Sequence, residues 1–496
     1  MTFHRLTVWV LMAWVFNLAA WSLPSSSQAR MTIRQERELG EKLLLEIRSQ
    51  VNFVEDQEVV QYVQEAGKKV LAFVSNPIFD YRFFVIKDDG LNAFAMPGGY
   101  IFIHSGLLEV IDSDDELICV LAHEIGHIQG RHIARRIDTM KRMNIASMAA
   151  VIAGVFLGKG QAGSALIATT SALNASLGLK YSREDEEEAD RRAFQWLCKA
   201  GYNPVGLVTV LEKMQRMRWL GSDAIPSYLS THPGTARRIA YIEHLLKENP
   251  RCDKPMRRAS PTLRRIQVRL SVATKDPYML IVRYKKVLKD SPGDEYVLYG
   301  LSLSYLKAKN YELAIKGLQG LIESHGARKE YLKDLGVAHY AKGDYKAAIE
   351  ILSDYLNSRP DDLDARLYLG KAFMAADMPV KAAKEIKGVY YALGESPEVA
   401  FDLGRAYAAL GKDGEAHYYF YQYYRWRGEG DAASYHKRMA LKLLPPDSRL
   451  RRHIGKGADY EQTREKSIAP VSRSGDSGIH SGSIHQTPHN HLVFAL

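Results

Sequence analysis

Two histidines four residues apart flank a glutamate in the run His123-Glu124-Ile125-Gly126-His127. On a helix such positions share one face, so both imidazoles can hold a single zinc ion, with Glu124 beside the water to be activated. The chemistry this spacing serves is hydrolysis of an amide bond, zinc acting as Lewis acid and Glu124 as general base. The pentapeptide alone is moderately specific, because it can arise on any polar helix. Its surroundings strengthen it. Val120, Leu121 and Ala122 make the preceding turn apolar, as a buried catalytic helix requires.

A catalytic zinc needs a third protein ligand. In the pattern H-E-x-x-H-x-x-G-x-x-H that ligand is a histidine; Gly130 fits, but position 133 is Ile133 and the extra histidine is His132. One residue of helix turns a side chain by about 100°, so His132 cannot take that place and reads as a structural group or a partner of a ligand. The other option is a carboxylate on a later helix. The run Tyr181-Ser182-Arg183-Glu184-Asp185-Glu186-Glu187-Glu188-Ala189-Asp190 is far richer in acid than a folded helix needs.

With E-x-x-A-D following Y-S-R well beyond the HExxH motif, residues 31–445 resemble the zinc-dependent CAAX prenyl endopeptidase-like metallopeptidases, in particular members that join this domain to helical repeats. The resemblance implies that Glu186 is the third ligand of one zinc ion per chain. Asp190, one turn on, is then the acceptor that orients a ligand histidine. Glu187 and Glu188 read as a solvated acidic face. Asn92, Ala93, Phe94, Ala95, Met96, Pro97 and Gly98, with Gly99, resemble the family's active-site edge strand, beside which an extended substrate adds as a further strand. Thr231-His232-Pro233 with Arg238 and Ile239 resembles its H-P…R-I segment. On that basis Arg238 is expected to face the zinc as a cationic donor. His232 is expected to be a fourth ligand or removable lid, carried on a loop that Pro233-Gly234 can turn.

Positioning these groups needs a domain with a small sheet. Residues 32–74 read as two amphipathic helices, with Leu39, Leu43, Leu44 and Ile47 at helical spacing. Residues 81–87 and 92–104 read as three strands, the last two joined by a Pro-Gly-Gly turn. Acidic residues 112–116 open the HExxH helix, where negative charge suits the helix dipole. Residues 145–157 and 165–179 are apolar but too short to span a bilayer comfortably; they read as buried helices around the catalytic helix, with lipid contact the sharper alternative.

Beyond Cys252 a period appears. Ala314, Ala348, Ala382 and Ala416 are each 34 residues apart, as are Tyr305, His339, Phe373 and Tyr407, and likewise Gly336, Gly370 and Gly404. A 34-residue period of this kind is the tetratricopeptide (TPR) signature. The expected fold is therefore mainly α, an α+β zinc metallopeptidase (gluzincin-like) domain followed by a TPR α-solenoid. Boundaries are expected at 1–29 (signal peptide), 30–258 (peptidase), 259–446 (TPR) and 447–496 (disordered tail, containing His480, His485, His489 and His491).

Composition bounds the rest. With 46% hydrophobic and 25% charged residues the chain is mainly globular. A net charge of +10 suits an anionic surface, but no finger or compact basic-aromatic motif supports nucleic acid. The apolar run 6–23 and Ser27-Gln28-Ala29 read as a cleaved export signal. Cys119, Cys198 and Cys252 form no C-x-x-C pair, and no disulfide framework is expected. The resemblance implies a periplasmic protease acting on misassembled outer-membrane proteins or their assembly machinery, with possible membrane-surface contact. The alternative is a TPR chaperone or scaffold whose peptidase site is closed or vestigial.

Overall fold

The computed structural model describes residues 31–138, 148, 152, 180–219, 227–324, 329–393 and 397–454. Residues 1–29, where an export signal is expected, the chain beyond residue 454 and all of 143–179 except Met148 and Ile152 lie outside the described residues. No helix among the described residues is long and apolar enough to cross a membrane.

Two helices, α1 (Ile33–Gln50) and α2 (Gln57–Leu71), precede strands β1 (Arg82–Ile86), β2 (Ala93–Met96) and β3 (Tyr100–His104). The sheet order is β1-β3-β2, β3 running parallel to β1 and antiparallel to β2, so β2 is an edge. Gly98 and Gly99 turn the chain between β2 and β3 with φ of 84° and 93°, a region that costs glycine nothing. Short α3 (Ser105–Val110) leads into α4 (Asp114–Gln129), which carries the HExxH motif, and α5 (His132–Asp138) follows. The Ser113 side chain caps α4 by accepting from the Glu116 amide. From Asp115 to Ile128 every α4 residue is buried, which is why its turns are apolar all round.

Helix α6 (Arg183–Ala200) carries the acidic run, starting with a capping box between Ser182 and Asp185. It packs along α4, and the contact hinges on Gly126: a Cβ there would lie 2.9 Å from the Ala189 carbonyl oxygen. The small pair Gly126 and Ala189 thus sets the two ligand-bearing helices at close range. Helices α7 (Val205–Trp219), α8 (Ser227–Thr231) and α9 (Thr235–Glu248) complete the domain.

The disulfide expectation needs correction. Cys198, near the end of α6, is bonded to Cys252 in the short 3-10 turn Pro250–Cys252, while Cys119 is free and buried. The turn passes beside α6 only in the folded chain, so no sequence spacing announces the pair.

The repeats begin with α10 (Pro261–Thr274) and α11 (Pro277–Asp290). Leu263, Ile266 and Leu270 of α10 lie in the peptidase core, while Val272 joins the first repeat cluster. One helix therefore belongs to both units. Four hairpins follow: α12 (Glu295–Lys307) with α13 (Tyr311–Ser324), α14 (Lys329–Lys342) with α15 (Tyr345–Ser358), α16 (Leu363–Ala375) with α17 (Pro379–Ala392), and α18 (Pro397–Ala409) with α19 (Asp413–Arg427). Helix α20 (Gly430–Leu443) covers the last. The 34-residue register has a packing cause. Cβ atoms at Gly336, Gly370 and Gly404 would lie 2.7, 2.5 and 2.7 Å from Leu352, Ile386 and Phe420 of the partner helices.

Among the described residues the array is tied to the peptidase domain near both of its ends. Asp56 and Glu58, at the start of α2, meet Arg265 and Arg269 of α10 and Lys333 of α14, and Arg269 also pairs with Asp334 at 2.7 Å. Burial alone would raise the Glu58 pKa, but the Arg269, Lys333 and Arg265 charges outweigh it and hold the carboxyl well below its ordinary range. At the far end the Arg48 guanidinium of α1 lies 4.6 Å from the Trp426 ring of α19.

The packed chain also runs past residue 446. Ile454 is buried and Leu450 half-buried against the last repeat cluster. Ending the chain at 446 removes both and is expected to lower stability by about 2–4 kcal/mol. Deleting 455–496 should leave the cooperative unfolding transition nearly unchanged. Ending at residue 340 cuts inside α14, bares an apolar hairpin face and should cause aggregation. Size-exclusion chromatography and thermal melts separate the three; a melt as poor for the 455–496 deletion as for the cut at 340 would place the boundary elsewhere.

Candidate metal centre

His123, His127, Glu186 and His232 each contribute one ligand atom to a buried group whose atoms lie within 4.8 Å of one another. His123 Nε2 is 2.9 Å from His127 Nε2, 3.5 Å from Glu186 Oε2 and 3.4 Å from His232 Nδ1. His127 Nε2 is 3.5 Å from Glu186 Oε1, and His232 Nδ1 is 2.9 Å from that same oxygen. A tetrahedral ion with bonds of ~2.1 Å keeps its ligand atoms about 3.4 Å apart. The donor set therefore fits zinc in both chemistry and spacing. Neither carboxylate oxygen of fully buried Glu124 has a hydrogen-bond partner, and Oε1 lies 3.7 Å from His232 Nε2.

Around this group the side chains interlock. Asp190 Oδ1 faces His123 Nδ1 at 2.8 Å. Arg238 donates from Nε and Nη2 to the two Asp190 oxygens, both at 2.8 Å, and its Nη1 lies 2.9 Å from Glu186 Oε2. Asp190 thus contacts His123, and Arg238 contacts Asp190 and Glu186. His132, which the sequence assigned to structure or to a partner of a ligand, meets His127 Nδ1 through its Nδ1 at 2.8 Å and Glu188 through Nε2 at 3.2 Å. Glu188 therefore does not belong to a purely solvated face, and half-buried Glu187 pairs with Arg237 at 3.2 Å.

Burial and the Arg238 charge oppose protonation of His123, yet Asp190 and Glu186 outweigh them and push its pKa up to about 9. Burial, then the charge of His123, drives His127 well down. Burial also raises the Glu124 pKa against the pull of His232 and His123, which moves a general base toward neutral pH. A metal ion must displace the His123 proton, so its affinity falls as pH falls.

His232 is held by local geometry. Its amide donates to the Tyr228 carbonyl at 2.8 Å, and the Tyr228 ring stacks on it with centroids 4.1 Å apart. Gly234, with φ of 81°, turns the chain from this loop into α9. The Tyr181 ring stacks on His127 at 3.7 Å. Sequence reasoning missed both tyrosines as site residues: Tyr181 was visible only as the first letter of Y-S-R, and Tyr228 carried no signal. Strand β2, expected to take substrate beside it, is at the sheet edge and packs against α4. However, Ala93 to Met96 each expose at most 1% of their surface, so this edge is covered.

Residues 57–246 match the model of Peptidase family M48, and 299–362 and 333–392 match a tetratricopeptide-repeat model. The chain carries an M48 peptidase domain followed by TPR repeats. The chain is 26% identical over 379 residues to the beta-barrel assembly-enhancing protease of Escherichia coli, covering 72% of this chain and 74% of that one. A putative beta-barrel assembly-enhancing protease of Vibrio cholerae is 30% identical over 311 residues, 61% of this chain and 63% of the relative. The mitochondrial metalloendopeptidase OMA1 of Schizosaccharomyces pombe is 32% identical over 187 residues, 38% and 53% of the two chains. These matches name an M48 peptidase and assembly-enhancing proteases rather than a prenyl endopeptidase.

Asp190→Asn in the M48 domain is expected to weaken zinc affinity by about 10–100-fold, since the amide cannot hold the His123 ring in the same way. Zinc competition with a chromogenic chelator measures it, and an unchanged affinity would remove Asp190 from the positioning role.

Proposed function

We propose that this chain is an exported, periplasmic zinc metalloendopeptidase that cleaves misassembled envelope proteins, with the TPR array recognising protein partners. The observation that carries the reading is the buried set of three histidines and a glutamate with its ligand atoms within 4.8 Å, next to Glu124. His123, His127 and Glu186 hold the metal. When bound, zinc supplies a Lewis acid that activates water and stabilises the developing oxyanion. Glu124 takes the proton from the attacking water and passes it to the leaving amine. Asp190 and Arg238 fix His123 and Glu186, and Glu188 fixes His132 behind His127. Two relatives are named as beta-barrel assembly-enhancing proteases, which supports β-barrel assembly as the setting.

A second reading, a repeat-based chaperone with a closed peptidase site, draws on His232 inside the ligand group and on the covered edge of β2. Casein digestion tests the first directly. Cleavage is expected to stop after chelation and return when zinc is restored, in step with zinc content. Cleavage that persists in metal-free protein would sink it.

A further inference from the structure

Helix α17 and the end of α18 enclose a groove of about 530 Å³ on the repeat array, away from the metal centre. Its floor is apolar, formed by Val380, Tyr391 and Leu410, and its rim carries Lys384, Lys387 and Lys412 without a single carboxylate. Val380 is 71% exposed and Tyr391 39%; Met378 and Leu393, at either end of α17, are 41% and 37% exposed. Clustered apolar exposure of this kind marks an interaction surface more often than chance scatter.

The charges are unbalanced locally. Lys384 and Lys387 make no ion pair among the described residues, and Glu385 beside Lys384 and Asp402 on α18 pair elsewhere. Glu385 pairs with Arg366 at 2.8 Å and Asp402 with Lys371 at 3.3 Å.

Gly388 adds an independent observation. It lies in the groove and inside α17, where glycine costs about 1 kcal/mol against alanine. Gly336, Gly370 and Gly404 are each required by a partner helix, but a Cβ at Gly388 would meet only Arg366 Cδ, at 3.9 Å. Packing within the chain therefore gives no reason for glycine here. Close passage of another main chain does.

We propose that this groove docks an acidic polypeptide segment bearing a large apolar side chain. Its carboxylates pair with Lys384, Lys387 and Lys412, the apolar group fills the floor, and its backbone crosses Gly388. A crossing main chain also accounts for Gly388, which a membrane face does not. This surface lies outside the peptidase domain and stands or falls independently of the zinc chemistry.

The test is fluorescence anisotropy of the full chain carrying Glu124→Gln, so that the probe survives, at near-physiological salt. The probe is a labelled peptide in which Asp and Glu flank one Phe and one Leu. Reversing Lys384 and Lys387 together to Glu is expected to weaken binding about tenfold or more. The charge-matched reversal of Lys286 and Lys289, on α11, should change it by less than about twofold. Gly388→Leu should also weaken binding while the melting temperature holds or rises, which separates blocked docking from misfolding. The proposal is overturned if both charge-reversal pairs behave alike, or if Gly388→Leu binds normally. It is equally overturned if a Lys-substituted peptide binds as well, or if anionic vesicles bind at this groove and the peptide does not.

Discussion

Replacing Glu124 with glutamine is expected to abolish proteolysis while zinc stays bound. The amide matches the carboxylate in size and fits the same buried space on α4, so His123, His127 and Glu186 keep their arrangement. It cannot accept a proton at neutral pH, and that step is the one Glu124 contributes. General-base contributions are commonly 10²–10⁴-fold, so casein turnover should fall by about that factor or more. Zinc content, measured on the same sample, should stay near one per chain. Strong zinc-dependent cleavage by the purified variant would end the general-base assignment, and loss of zinc would show that Glu124 holds the site together instead.

The second large effect is at His232. We expect His232→Ala to speed proteolysis and to promote self-cleavage. Three protein ligands leave one tetrahedral position for water in a catalytic zinc site, and His232 Nδ1 stands among the ligand atoms, 3.4 Å from His123 Nε2 and 2.9 Å from Glu186 Oε1. A histidine there competes with the nucleophile. On this reading its loop releases it by turning at Gly234, whose φ of 81° needs glycine. A tenfold rise in turnover would mean that the lid favours the closed state by about 1.4 kcal/mol. The competing role is donation to the oxyanion, which forecasts a loss of about 10²-fold or more. A clean fall of that size, with zinc content and folding intact, would decide against the lid.

The sequence by itself determined the elements and the kind of chemistry. Four-residue spacing put His123 and His127 on one helical face, short aromatic and β-branched runs around a Pro-Gly-Gly turn marked the strands, and a 34-residue period announced the repeats. These signals are local, because helix and strand geometry repeat over a few residues and each hairpin buries its face against its neighbour. Resemblance to a family, not spacing, singled out Glu186 among the acids of α6. Only the tertiary structure decided which distant groups meet. It joined Glu188 to His132 and Tyr228 to His232, and it turned Arg238 onto Asp190 and Glu186. It paired Cys198 with Cys252, gave α10 to both units, and buried Lys333 of the array beside Glu58 of α2. The cause is common to all of these. A charged or polar group may enter the interior only with a partner, and nothing in the local sequence says from which element that partner will come.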